Sequence, residues 1–266
     1  MKQVKLFVIF ISFLNIVLAS SLFAQVNTEK FRKHAKTEGF IFSAGFGFGY
    51  SAGNSDYVSA DASARVDYNG KSNNAFLVGN FDYKESNKEK AVHKGFLHFR
   101  GIRPLTPGLA LEGFLQQQFD QFLLLNDRKL IGTSLRIRTM DFRSVKDTLT
   151  GLSSYLGLGI MYEREVYNVG LETEELVKKE PLRISSYLTF DYAISERINC
   201  WVVGYYQPKI DRFDNFKAVL EAGMEISIIG RLFFTFDLGY RFISEPVGDV
   251  EKYDVVIKNG LRVTIP

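Results

Sequence analysis

The chain has 266 residues, of which 46% are hydrophobic and 24% are charged, and its formal net charge at pH 7 is +3. These values exclude a disordered chain, a collagen-like repeat and a helical membrane protein with several spans. Phe (24) and Tyr (13) are abundant, Gly (22) is common and Pro (6) is scarce, a composition that favours β-strands over helices.

The N-terminus has the three parts of a secretory signal peptide. Lys2 and Lys5 precede an apolar run, Leu6–Ala19, which is followed by small residues and the stretch Ser21–Gln25. No later stretch approaches the roughly 20 apolar residues that a spanning helix needs. The predicted organisation is a cleaved signal peptide (1–25), a polar periplasmic tail (26–38) and a single β-domain (39–266).

A period of two begins at Phe40. Every second residue from Phe40 to Tyr50 is apolar, and the residues between them are small, apart from Ile41. The alternation resumes at 58–68, and the Asn69-Gly70 pair that follows predicts a hairpin. The same pattern recurs at 74–84, 91–103, 109–122, 130–142, 150–164, 181–193, 197–207, 216–229, 231–243 and 254–266. We therefore predict an all-β fold, an antiparallel transmembrane β-barrel of about twelve strands, each near the ~9–11 residues that cross a bilayer at a tilt.

The alternative is a soluble periplasmic lipid-binding β-protein, whose apolar residues would point inward. Sandwich strands are usually shorter than these, and a wide soluble barrel lined by Phe and Leu would need to fill its lumen. The polar face of the segments carries full charges, which suits a lumen. The predicted lumen-lining residues are Asp61, Arg65, Asp67, Glu112, Asp120, Arg136, Arg138, Glu163, Arg183, Glu221, Glu225, Asp237 and Arg241.

These charges of both signs fit either a salt-bridge network that seals the barrel or the wall of an aqueous path. No loop is long enough for a separate plug and no ring of one sign stands out, which tilts the balance toward sealing and leaves the path open as an alternative. After the signal peptide the charges nearly balance and are dispersed along the chain. Nucleic acid is therefore not an expected partner.

Three segments resemble a known family. They are Tyr50–Asp56, the stretch Gln118–Phe122 with Asn126–Arg128 after it, and Tyr155–Glu165. They are similar to the salt-induced outer-membrane protein family, a β-barrel family of unknown function. The resemblance implies the outer membrane of a Gram-negative bacterium, with its lipid and the barrel-assembly machinery as partners. The ending Leu261–Pro266 departs from the aromatic last residue that such barrels usually have.

Residues suited to chemistry are few. Cys200 is the single cysteine, so neither an intramolecular disulfide nor a cysteine-based zinc site is expected. His34, His93 and His98 lack metal-ligand spacing, with His93 predicted to face lipid and His98 the lumen. We expect no enzyme activity, no metal and no cofactor. The function expected is a small-solute channel, its solute unknown, or a structural envelope component, and the rival is a lipid-acting enzyme, which would need a Ser/His/acid cluster.

Overall fold

The computed structural model describes residues 38–51, 56–86, 89–143, 150–170, 176–230 and 232–263. The predicted signal peptide, His34 and all of the predicted tail except Glu38 lie outside these ranges. Within them, no helix combines the length and the apolar character that a membrane span requires.

In the described ranges the chain forms thirteen strands in one antiparallel sheet. They are β1 (Gly39–Ser51), β2 (Tyr57–Asn69), β3 (Asn74–Ser86), β4 (Glu89–Thr106), β5 (Leu109–Asp120), β6 (Leu125–Arg143), β7 (Gly151–Asn168), β8 (Leu176–Lys179), β9 (Leu182–Ser195), β10 (Ile198–Pro208), β11 (Phe216–Ile229), β12 (Leu232–Ile243) and β13 (Tyr253–Val263). Twelve of them pair in chain order, and β8 adds to β7 alone. The prediction of an all-β antiparallel sheet of about twelve strands is confirmed.

Apart from β8, each strand pairs with the strand that follows it in the chain, so sequence neighbours are also sheet neighbours. Between β2 and β3, for example, Asn69 lies opposite Asn74, and the Gly70 amide donates to the Asn73 carbonyl at 3.0 Å. Short turns such as this one gather at one end of the sheet, the short-turn end. The opposite, long-loop end carries the links 169–181, 209–215 and 244–252.

The sheet curls until strands that are distant in its order touch through their side chains. The Tyr187 hydroxyl of β9 donates to Glu112 of β5 at 3.1 Å, and the Lys217 ammonium of β11 reaches Glu163 of β7 at 2.9 Å. Strand twist produces this curvature. The face enclosed by the curl is called the inner face here. The described residues form no ladder between β1 and β13, which run in opposite directions, as antiparallel closure requires.

The two faces differ in chemistry. The outer face is mainly apolar and exposed, and Phe46 on β1 is 78% exposed. The inner face holds buried polar residues from many strands, among them Arg100, Glu112, Glu163 and Arg241. A soluble barrel would reverse this arrangement. The predicted sidedness, apolar outside and polar inside, is the one observed.

The sequence prediction missed one strand, because 165–180 was assigned to a loop. Strand β7 instead continues to Asn168 and turns back into β8, with Glu165 opposite Lys179. A second difference lies before β6, which begins at Leu125 rather than 130. Between β5 and β6 a short 3-10 helix, Gln121–Leu123, is capped by the Asp120 side chain, which accepts from the Phe122 amide at 3.1 Å. In its described residues, the long-loop end therefore contains more regular secondary structure than the sequence predicted.

Two glycines on opposite faces give a test of the register. A Cβ at Gly159 on β7 would collide with the carbonyl oxygen of Thr133 and with Ser134, whereas one at Gly113 on β5 would meet nothing within 4 Å. We expect Gly159→Ala to destabilise the protein by about 1–3 kcal/mol through overpacking, and Gly113→Ala to leave stability nearly unchanged. Urea unfolding of both variants measures this. Equal losses in the two variants would contradict the inner and outer assignments.

Candidate functional site in the barrel interior

The inner face near the long-loop end holds a connected group of five buried charged side chains, the upper network. Its members come from four strands: Arg128 of β6, Glu163 and Glu165 of β7, Arg183 of β9 and Lys217 of β11. They are brought together because alternate residues of these strands point inward and the sheet curls around them.

Glu163 is the centre of the upper network and is fully buried. One of its carboxylate oxygens accepts from Arg128, and the other accepts from Arg183 Nε at 3.2 Å and from Lys217 Nζ at 2.9 Å. Lys217 also donates to Glu165, whose nearest oxygen lies 3.4 Å from Arg128 Nε. Arg183 in addition donates to the Gln207 and Asn215 carbonyls, both at 3.1 Å. Such charges are tolerable inside a protein only when paired in this way.

A second group lies midway along the inner face. Glu112 of β5 accepts from Arg100 of β4 at 2.9 Å and from the hydroxyl of Tyr187 at 3.1 Å. The Arg100 guanidinium also lies 5.3 Å from the centre of the Phe114 ring. Cationic and aromatic groups thus fill the space between β4 and β9.

The link 244–252, called the strap here, crosses the long-loop end from β12 and β13 to the opposite wall. Its Val247 and Val250 pack against a buried apolar cluster made by Leu123, Leu125 and Tyr167. Gly248 has a φ of +61°, and a Cβ there would lie 3.0 Å from a methyl group of Leu124. Glycine therefore permits the close approach that brings the strap onto this wall.

Polar contacts hold the start of the strap. Glu245 accepts from Asn215 at 2.6 Å and from Arg212, both in the β10–β11 link or at its end. The hydrogen bond from Asn215, followed by the Arg212 charge, lowers the pKa of the exposed Glu245 below its ordinary value. The carboxylate thus stays charged and joined to its neighbours at neutral pH.

The predicted lumen-lining residues all lie on inner-face positions but differ in exposure. Buried among them are Arg65, Asp67, Glu112, Asp120, Arg136, Glu163, Arg183, Glu221 and Arg241. Arg138 and Glu225 are half-buried, and Asp61 and Asp237 are exposed. Only Glu163 and Arg183 of this set belong to the upper network. Arg241 pairs with Asp254 of β13, and Arg65 pairs with Asp67 along the same strand.

Exposure divides the inner face into two parts. Around β4 to β11 the upper and middle side chains are packed and buried. On β1, β2, β12 and β13, inward positions such as Gly45, Ser63, Asp61, Asp237 and Lys258 are exposed. This second part is called the open wall here, and solvent reaches it. Toward the short-turn end from Ser63, Arg65 and Asp67 are buried, and Arg65 Nε donates to Asp67 at 2.6 Å.

Sequence reasoning placed Arg128 and Glu165 in outer links and so left them out of the predicted lumen. The signal that could have found them is the alternation itself. Glu163 and Glu165 flank Arg164, and Arg128 precedes Leu130 by two residues, so the period of two continues past the predicted strand ends.

Neither described histidine sits in a metal site, and no group of three or more His, Cys, Asp or Glu side chains in the described ranges is arranged to hold a metal. His98 is buried on the inner face, with Nδ1 3.1 Å from Gln116 Oε1. His93 lies on the outer face, 3.2 Å from Gln121 Oε1 and 5.0 Å from the Phe119 ring centre. Each histidine therefore lies on the face that the sequence predicted, His93 outside and His98 inside.

Comparison with known proteins now identifies the family. The model of a protein family of unknown function, DUF481, matches residues 44–265. The chain belongs to the DUF481 family. The family resemblance inferred from the three sequence segments is thereby confirmed.

No curated protein matches the chain. A solved structure of the NanC porin is similar over 85% of this chain and 99% of the porin, with 9% sequence identity and a TM-score of 0.43.

The upper network predicts an asymmetric response to the loss of single charges. Its three cations and two anions leave one net positive charge; Glu163→Gln would raise this to two, and Lys217→Met would bring it to zero. We expect Glu163→Gln to lower the unfolding free energy by about 3–5 kcal/mol, because it leaves buried cations without their carboxylate partner. Lys217→Met should lower it by less. Urea unfolding in detergent micelles gives both values. A larger loss for Lys217→Met would show that the charge balance does not govern the network.

Proposed function

We propose that this DUF481 protein is an outer-membrane β-barrel that lets small solutes pass through a narrow aqueous path along its open wall. The observation that carries the proposal is the division of the inner face into a packed part and a solvent-exposed part. The path would run beside Asp61, Ser63 and Asp237, outside the packed space of the upper network.

Membrane insertion is supported by the height of the apolar outer face. On β6 the outward side chains Ile131, Leu135, Ile137, Met140 and Phe142 are all exposed. At about 3.3 Å per residue and a tilt of about 40°, the stretch 131–142 rises about 28 Å. An apolar band about 25 Å tall is typical of outer-membrane barrels.

Aromatic side chains border this band at both ends. At the long-loop end the Phe216 ring lies 5.3 Å from Tyr206 and 5.4 Å from Phe242. At the short-turn end the Phe40 and Tyr68 rings are 5.0 Å apart. Aromatic girdles are expected where a barrel meets the two membrane–water interfaces.

A second candidate function is that of a sealed structural component of the envelope. The upper network and the strap favour it, because together they fill or cover the part of the barrel enclosed by β5 to β11. They do not cover Asp61 or Asp237, which are exposed. For this reason we place the narrow path ahead of the sealed barrel.

We also propose that the protein has no enzymatic role. A lipid-acting enzyme would need its histidine beside a nucleophile at the lipid surface. The contacts described for His93 are those with Gln121 and with the Phe81, Tyr83 and Phe119 rings, which suit a residue of the aromatic girdle.

Sidedness in the bilayer can be tested with two substitutions on neighbouring strands. Leu220→Arg places a charge on the exposed outer face of β11, whereas Asp237→Asn removes one from the open wall. We expect a loss of about 2–4 kcal/mol for Leu220→Arg in lipid vesicles and a much smaller loss for Asp237→Asn. The measurement is urea unfolding in vesicles after recovery of the wild type with outer membranes. Recovery of the wild type in the soluble periplasmic fraction would refute the location.

The aqueous path can be blocked selectively. Ser63 and Ala64 are adjacent and both exposed. Ser63 points inward, as part of the open wall, and Ala64 points to the outer face. In planar bilayers we expect small conductance steps from the wild type, smaller or absent steps from Ser63→Trp, and unchanged steps from Ala64→Trp. The bulky ring would fill a space that side chains leave to water.

Arg65→Ala extends the same experiment, because it removes a large inward side chain two residues along β2 from Ser63. It should raise the conductance. No openings in the wild type and in Arg65→Ala would leave the sealed structural barrel as the function.

A further inference from the structure

The outer face carries a groove that the aqueous path does not involve. It has a volume of about 460 Å³ and lies across β3 to β7. Its lining consists mainly of apolar outward side chains: Leu77, Leu97, Phe99, Leu115, Ile131 and Tyr162. These six side chains are themselves between 38% and 56% exposed, so the groove is shallow and open to the surroundings of the outer face.

Cations border the groove on its long-loop side. Lys129 of β6 and Arg164 of β7 are directly opposite each other in the ladder and both line the groove. Their side chains are 54% and 46% exposed. Like charges placed opposite each other across two strands repel, so an anion lying between them would stabilise the pair.

Among the described residues, each cation has one acidic neighbour, but at long range. Lys129 Nζ lies 3.4 Å from Asp127, which also accepts from Gln117 at 3.0 Å, and Arg164 Nε lies 3.6 Å from Glu180. These separations exceed the 2.7–3.2 Å of a good hydrogen bond. Exposed pairs of this kind are weak, so both cations retain donors for an additional anion.

The geometry points to a binding site for one anionic phospholipid, with an acyl chain in the groove and the headgroup phosphate between Lys129 and Arg164. An apolar groove with polar groups at one end is the usual form of such a site, and arginine and lysine are the usual partners of phosphate. The cations lie on the long-loop side of the apolar lining, where the headgroups of one leaflet would be.

This inference rests on the proposed bilayer location of the outer face but not on the aqueous path. A protein that conducts and binds no lipid would overturn the inference alone. A protein that binds the lipid and does not conduct would overturn the path alone.

The experiment is native mass spectrometry of the folded full chain in a nonionic detergent, with phosphatidylglycerol or phosphatidylcholine added. We expect the wild type to retain one phosphatidylglycerol in preference to phosphatidylcholine, and glycerol phosphate without acyl chains not to compete. Lys129→Gln with Arg164→Gln should weaken phosphatidylglycerol retention about tenfold by removing charge-assisted contacts. Ile131→Trp, which fills part of the groove, should weaken retention of both lipids.

Matched controls come from outside the groove. Ile257 on β13 is 56% exposed, as is Ile131, so Ile257→Trp enlarges an equivalent outward side chain elsewhere. Lys252→Gln removes an exposed charge near the same membrane interface. Both should retain the lipid as the wild type does. Equal retention in every variant, or no preference of the wild type for phosphatidylglycerol, would overturn the proposed site.

Discussion

Register is the constraint on which this structure depends. In every ladder alternate residues point to opposite faces, so a slip of one residue would turn Glu163 and Arg183 outward and the neighbouring apolar residues inward. In a bilayer that slip would place full charges in hydrocarbon. The hairpins at the short-turn end suppress it, because a short link leaves two paired strands little freedom to shift against each other. The apolar outer face, the upper network and the open wall all follow from this register of the strands.

Within the barrel the charges interact across the curl as well as along the wall. Lys217 of β11 reaches both glutamates of β7, which is three strands away in the sheet order. A buried network of this kind adds little net stability compared with apolar packing, but it tolerates few other arrangements of its members. Its main structural effect is therefore to fix the curvature of β6 to β11. The open wall lacks such packing, so its inward residues meet water.

Much of the fold could be predicted from the sequence, because the period of two is a local signal. Strand β11 is predicted at 216–229 and observed at Phe216–Ile229. Strand β8 could not be predicted in the same way, since it depends on its pairing with β7. The same applies to the site. Alternation predicts that Asp61 and Glu163 share a face, but only the three-dimensional packing makes one exposed and the other fully buried.

The strap shows why loop length is a poor guide to whether a barrel is closed. A nine-residue link cannot fill a lumen, and for this reason the sequence predicts no separate plug. The link 244–252 instead runs straight across the long-loop end and contacts Leu123 and Tyr167 on the opposite wall. A segment that crosses the opening needs few residues, because it divides the opening and does not have to fill it. On one side of it the upper network occupies the interior, and on the other side Asp61 and Asp237 stay exposed. A barrel built in this way can combine a rigid, charge-filled part with a narrow hydrated one.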